Sequence, residues 1–295
     1  MYKLRDWIPE SKLDWNNLSA NPNAIHMLEA NPDKINWFRA CQNTSIHRFK
    51  KVLDVDWFSL SANPSAMHLL KDKMEWSALS ENPEAIHILE KNLDKVDWYN
   101  LSINPKALNI LEKNVDNIIW FRLSTNPAAM PLLLKHPDKI QWKWLSMNPS
   151  AIQLLTDNPD KINWPNLSEN PAAIHLLKAN PDKINWGWLS MNPSAIQLLT
   201  ENPDNINWPN LSENPEAIHL LKANPDKINW GWLAKNPSAI SLLEKNQDKI
   251  DWRRISSNPA IFEYDYEAMT RPFTEELMQN RFHPNNMDKF EAWGY

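Results

Sequence analysis

Apolar and polar positions along this chain follow one fixed stride. From Trp164 the sequence reads WPNLSENPAAIHLLKANPDKIN and starts again at Trp186. Tryptophans recur at 76, 98, 120, 142, 164, 186, 208, 230 and 252, always 22 residues apart, and earlier ones stand at 15, 37 and 57, the last two after spacings of 22 and 20 and the next step being 19. A period of this length marks a stack of supersecondary units, none of which can bury its own apolar face. Within the copy at 164, Asn170-Pro171 reads as a helix start, because Asn can accept from first-turn amides and Pro gives up no needed donor there. Ala173, Ile174, Leu176 and Leu177 then form one stripe of a helix of roughly ten residues. Asn180-Pro181-Asp182 is expected to stop it, with Asn180 in the left-handed conformation of a helix end and Asp182 at the positive end of a second turn. Ile184, Trp186 and Leu189 supply the apolar side of that second element. The unit is thus a hairpin of one short and one very short helix.

Isolated helices under about 12–15 residues are marginal in water, so the stack must hold them. A buried Trp removes roughly 150–250 Å² from solvent, an upper bound of about 4–6 kcal/mol at about 25 cal/mol/Å². One such indole per copy predicts a tryptophan ladder inside the stack. The fold class expected is all-α: an α-solenoid of short helical hairpins with a 22-residue period and terminal caps, growing as one elongated domain. Three segments follow. Residues 1–14 are an N-terminal half repeat, since Leu13-Asp14-Trp15 matches Ile184-Asn185-Trp186 and Trp7 can cover the end of the stack. Residues 15–259 are the solenoid, about eleven period lengths. Residues 260–295 leave the period and form a helical cap, with one helix capped by Thr274 and another opening at His283-Pro284.

The pattern weakens over 37–75. Asn43-Thr44 replaces Asn-Pro, Cys41 takes the Ser position, and the stretch around Leu70 to Met74 has lost three residues. A shortened connector should tighten the hairpin there. From 120 to 251 a 44-residue super-period appears: Trp164–Asn185 and Trp208–Asn229 differ only at Ala172/Glu216. A second Trp stands two positions after the first only in alternate copies, as Trp144, Trp188 and Trp232. Duplication of a two-copy block accounts for this.

Composition narrows the class. Only three glycines occur, and the 23 prolines fall mostly in Asn-Pro pairs, where they punctuate helices. A net charge of −5 argues against nucleic-acid binding as the main activity. The one cysteine, Cys41, excludes an internal disulfide framework and fits a reducing compartment. No apolar run approaches 18 residues and no secretory leader is evident, so an intracellular monomer without a membrane span is expected.

The unit Trp-x-x-Leu-Ser-x-Asn-Pro-x-Ala-Ile-x-Leu-Leu, followed by Asn-Pro-Asp-Lys-Ile, resembles repeats in uncharacterised proteins of giant nucleocytoplasmic large DNA viruses. The ending from Asn258-Pro259-Ala260-Ile261-Phe262 through Glu275-Glu276-Leu277-Met278 to His283-Pro284 is similar to the tail of the same proteins. The weakened copies at 37–75 depart from the pattern. The resemblance implies a viral origin, hence host cytoplasm or virion, and lends no catalytic residues.

Candidate chemistry is sparse. Histidines 26, 68, 87, 175 and 219 share one repeat position. Ligands one copy apart lie about 8–10 Å apart by helix spacing, too far for two rings to share a zinc ion that needs three or four converging donors. The Asp residues after Asn-Pro are accounted for as helix-start charges. No phosphate-binding glycine loop, nucleophile elbow or Cys-x-x-Cys occurs, so no catalytic residue, metal site or cofactor is expected. The expected function is a non-enzymatic scaffold presenting an extended surface to a protein partner or viral assembly. Contact positions are those that vary between copies: the one or two residues after each Trp, the residue after Ser, and the His/Gln position. Trp144, Trp188, Trp232, His175 and His219 are the leading candidates. The alternative is single-stranded nucleic acid stacked on the alternate tryptophans.

Overall fold

A computed structural model describes residues 2–70, 73–276 and 278. It is an all-α repeat solenoid, apart from one pair of three-residue strands. The copy at 164 shows how the sequence is spent. A Trp helix, Trp164–Glu169, is capped by Asn163, whose side chain accepts from the Asn166 amide. It ends at Asn170, which is extended and starts a 3-10 turn, Pro171–Ala173, that runs into the Ile helix, Ile174–Ala179. A second 3-10 turn, Pro181–Lys183, leads through extended Ile184 to the next Trp helix.

Two local expectations change in detail. Asn180 has φ −137° and ψ 62°, outside the left-handed region. Its side chain reaches back instead and donates to the Leu176 carbonyl at 2.9 Å, satisfying an orphan carbonyl of the helix end. The tryptophans are half-buried and flank the core without forming its spine. The fully buried positions are the residue three after each Trp (Leu in all but Ala40 and Ile255), the Ala that ends the Asn-Pro turn, such as Ala173, the second Leu of the Ile helix, and two polar residues, Ser and Asn. An indole is too large to sit between helices packed this closely, so it lies along the edge of the stack. There the Lys 19 residues later covers its face: Lys34 on Trp15 at 4.4 Å, Lys183 on Trp164 at 4.7 Å and Lys249 on Trp230 at 4.9 Å.

The spine is therefore polar. Asn170 Nδ2 donates to the carbonyls of Ser146 and Asn148 in the preceding copy, at 3.1 and 3.0 Å, while its Oδ1 accepts from the Ala172 amide. Ser168 Oγ donates to the Trp164 carbonyl and accepts from the Asn185 amide of the following copy. Buried backbone groups must be paired, and these two side chains pair them from copy to copy, with one variation at the copy at 76, where Asn82 Nδ2 donates to the Ser61 carbonyl and to Met67 Sδ. Cys41 stands in for Ser between the copies at 37 and 57: its thiol takes a hydrogen bond from the Asp56 backbone, and burial pushes its pKa up. Ala234 is the other exception and offers the Asp251 amide no hydroxyl.

The stack does not run on as an elongated rod. It bends round until its two ends meet. Asn21 Nδ2 donates to the carbonyls of Ser256 and Asn258 at 3.1 and 2.9 Å, treating the last copy as the one before it. Ser256 Oγ accepts from the Asp14 amide at 2.8 Å. Lys12 lies 4.8 Å over Trp252, as Lys183 lies over Trp164. The segments on either side of this junction also pair with each other. Strand β1 (Tyr2–Leu4) pairs antiparallel with β2 (Phe262–Tyr264) in the register Tyr2↔Tyr264, Lys3↔Glu263, Leu4↔Phe262. The twelfth unit is thereby assembled from both termini: Trp252 to Tyr264 provides its first half, and residues 2–14 its second, with Glu10–Lys12 as its 3-10 turn. The chain forms a closed ring of twelve units.

At the C-terminal side, Thr274 lies inside the helix Tyr266–Glu276 and does not cap it. The helix expected from His283-Pro284 falls outside the described residues.

Candidate interaction surface

In a closed ring, neighbouring elements are closest near the axis and spread apart with radius. Adjacent Trp helices pack along one another, as do adjacent Asn-Pro turns, whereas each Ile helix packs mainly within its own copy. The Trp helices therefore line the inner wall and the Ile helices the outer one. With about 8–10 Å between helix axes and helices about 10–12 Å across, twelve units enclose an opening of roughly 20–25 Å.

Each Trp helix turns Leu and Ser into the core, which leaves the residues one, two and five after Trp on its other face, except Ser59 and Ala78, which are buried. In several neighbouring copies these residues touch one another. Asn166 Nδ2 donates to the Lys143 carbonyl, and Asn210 Nδ2 to the Gly187 carbonyl, at 2.8 and 2.9 Å. Tyr99, Phe121 and Trp144 run through three successive copies with ring centroids 5.8 and 5.7 Å apart, at edge-on and tilted angles. Further along, Phe38 is 54% exposed, Phe58 55%, Trp188 45% and Trp232 37%. Several large apolar groups left in water along one face of the Trp helices favour contact with another molecule.

Cations are interleaved with these rings. The Arg122 guanidinium lies 4.3 Å from the Tyr99 ring, and that of Arg254 5.3 Å from Trp232. Gly231 makes room for the latter, since a Cβ there would come within 3.0 Å of Arg254 Nη1. Arg39, Lys143 and Arg253 are exposed.

The candidate residues divide between the two layers. Trp144, Trp188 and Trp232 lie on the inner row, Trp144 more buried than the other two because Phe121 leans on it. His175 and His219 are exposed on Ile helices in the outer layer and do not join them. Phe38, Phe58 and Tyr99 stand at the expected contact position one residue after Trp, though they are not among the leading candidates, which stand two after it. No group of three or more His, Cys, Asp or Glu that could hold a metal ion occurs among the described residues. No described helix is long and apolar enough to cross a membrane. A scan against protein-family models and searches of curated proteins and of solved structures found no match.

Proposed function

We propose that this ring is a non-enzymatic binding scaffold whose inner wall takes a protein partner. The observation that carries the reading is a division of labour within each copy. The buried Leu, Ala and Asn repeat almost without change, while the two inner-wall positions carry Asn, Phe, Tyr, Lys, Trp, Pro, Gly, Arg, Ser or Ala in different copies. A wall under only a packing constraint has no use for exposed Phe38, Phe58, Trp188 and Trp232, whereas aromatic residues and Arg are the types enriched in the centres of protein interfaces. The likeness of the repeat to those of giant-virus proteins supports seeking the partner in an infected cell. A photo-crosslinking residue placed at position 188 should capture a protein, and the same residue at position 175 on the outer layer should not. Equal capture from both positions, or none from 188, would refute the reading.

A further inference from the structure

Five tyrosines occur in the chain, and three of them, Tyr2, Tyr264 and Tyr266, meet where the ring closes. No other copy has a tyrosine at the places of Tyr264 and Tyr266, so the repeat itself does not call for them. Strand register sets Tyr2 directly opposite Tyr264, and the two rings stack with centroids 4.7 Å apart and planes 25° apart. Directly opposite residues share one face of a sheet, so both phenols point the same way. A hydrogen bond with the Tyr264 phenol is the main cause that holds the Tyr2 pKa above its usual value. Tyr264 is 51% exposed, and the three tyrosines line an open cleft of about 700 Å³ that a small oxidant can enter. We infer that Tyr2 and Tyr264 are a site of oxidative cross-linking, at which loss of one electron from each phenol joins the two ends of the ring by a carbon–carbon bond.

Each phenol gives up one electron and its hydroxyl proton, and spin in the resulting phenoxyl spreads to the carbons ortho to oxygen. Two such carbons in the stacked rings form the new bond. The hydrogens they carried then move to the oxygens, and both rings regain aromaticity. The electrons go to a peroxide at a haem peroxidase: one hydrogen peroxide takes the two electrons and two protons and leaves as two waters. Holding the partners in contact favours this coupling over encounters between separate chains. Tyr2 is a better partner for Tyr264 than Tyr266 is, because the Tyr266 ring lies farther off, at 6.0 Å, and is tilted by 49°. Tyr99 packs edge-on to Phe121, which offers no phenol. The consequence falls on the one junction that the peptide chain does not cross. It is fastened by three-residue strands and by the partly exposed ion pairs of Glu263 with Arg5 and Lys3, and exposed pairs contribute little. A bond between Tyr2 and Tyr264 turns that latch into a covalent clasp and encloses the whole solenoid in one loop, restricting the unfolded chain.

Dilute full chain treated with hydrogen peroxide and a haem peroxidase should develop dityrosine fluorescence while remaining a single chain on a denaturing gel. Its digest should contain a peptide that joins Tyr2 to Tyr264 and lacks two hydrogens. Tyr2→Phe and Tyr264→Phe, which keep a ring in the stack, should each lower the yield of that product at least tenfold, and Tyr99→Phe should leave it unchanged. Urea midpoints measured before oxidation would verify that the variants fold. In concentrated urea the oxidised chain should have a smaller radius of gyration than the untreated one, and its unfolding midpoint should be higher. Dityrosine that joins only separate chains, a Tyr264–Tyr266 product in place of the Tyr2–Tyr264 one, or a yield indifferent to Tyr2→Phe would overturn the inference.

Discussion

Two boundaries in this molecule invite comparison: the one between the copies at 142 and 164, joined by a continuous chain, and the one between 252 and 15, where the chain has its ends. Both carry the same bonds. Asn170 reaches back to Ser146 and Asn148 as Asn21 reaches back to Ser256 and Asn258, and the Asn163 amide meets Ser146 Oγ as the Asp14 amide meets Ser256 Oγ. What differs is the fastening. The covalent link at the first boundary is replaced at the second by β1 on β2, by Arg5 Nε donating to the Ala260 carbonyl at 2.8 Å, and by the Arg5–Glu263 ion pair at 2.9 Å. The repeat itself therefore contains what is needed to close the ring, and the strands act as a latch.

The sharpest way to break the equivalence is through the buried amides. Asn170→Leu and Asn21→Leu each strip two buried carbonyls of their donor, at about 1–3 kcal/mol per group, so each should cost roughly 3 kcal/mol or more in urea unfolding. Only the change at Asn21 should also open the ring, seen as a larger radius of gyration in small-angle scattering. Next come the hydroxyls. Ser146→Ala and Ser256→Ala each leave one buried amide unpaired and should lose about 1–2 kcal/mol, equally at the two sites if the boundaries are equivalent. The reverse change is available where the sequence omits this bond: Ala234→Ser should gain about 1 kcal/mol by accepting from the Asp251 amide. Smallest are the edge cations, where Lys12→Ala and Lys183→Ala should each lose about 0.5–1 kcal/mol by thermal melting. The Cys41 thiol reports on a third boundary. Burial raises its pKa, so at a given pH its thiolate fraction is depleted in the folded ring and restored on unfolding. Alkylation at pH 8 should be slow in buffer and rapid in denaturant, and fast labelling in buffer would show that the irregular copies open locally.

The stride of 22, the hairpin, the buried Leu positions and the Asn cap were legible because each follows from residues within one copy. Asn170-Pro171 starts a helix whatever surrounds it. Closure was not legible, because it depends on a small rotation per copy, summed twelve times, and no single copy encodes the total. Leu13-Asp14-Trp15 did reveal a half unit, but nothing in its pattern says that Asn258-Pro259 holds the other half. The polar spine was hidden for a related reason: Asn170 looks like an N-cap, which it is, and its amide nitrogen had a second task visible only with the preceding copy in place. The tryptophan ladder was overread from size alone, since area favours burial of an indole but packing density between close helices admits only Leu. On the wall, variation between copies marked the one or two residues after Trp, and the 44-residue period singled out Trp188 and Trp232 by name, whereas Phe38 and Tyr99 belong to no such period.

Antiparallel pairing of β1 with β2 sets Tyr264 directly opposite Tyr2, the geometry that a two-residue hairpin loop spans. A circularly permuted gene, starting at Trp186, passing from Tyr264 through Asn-Gly into Tyr2 and stopping at Asn185, would thus encode the same twelve-membered circle with its cut moved elsewhere. Where translation begins is, for this architecture, a matter of genetics and not of shape.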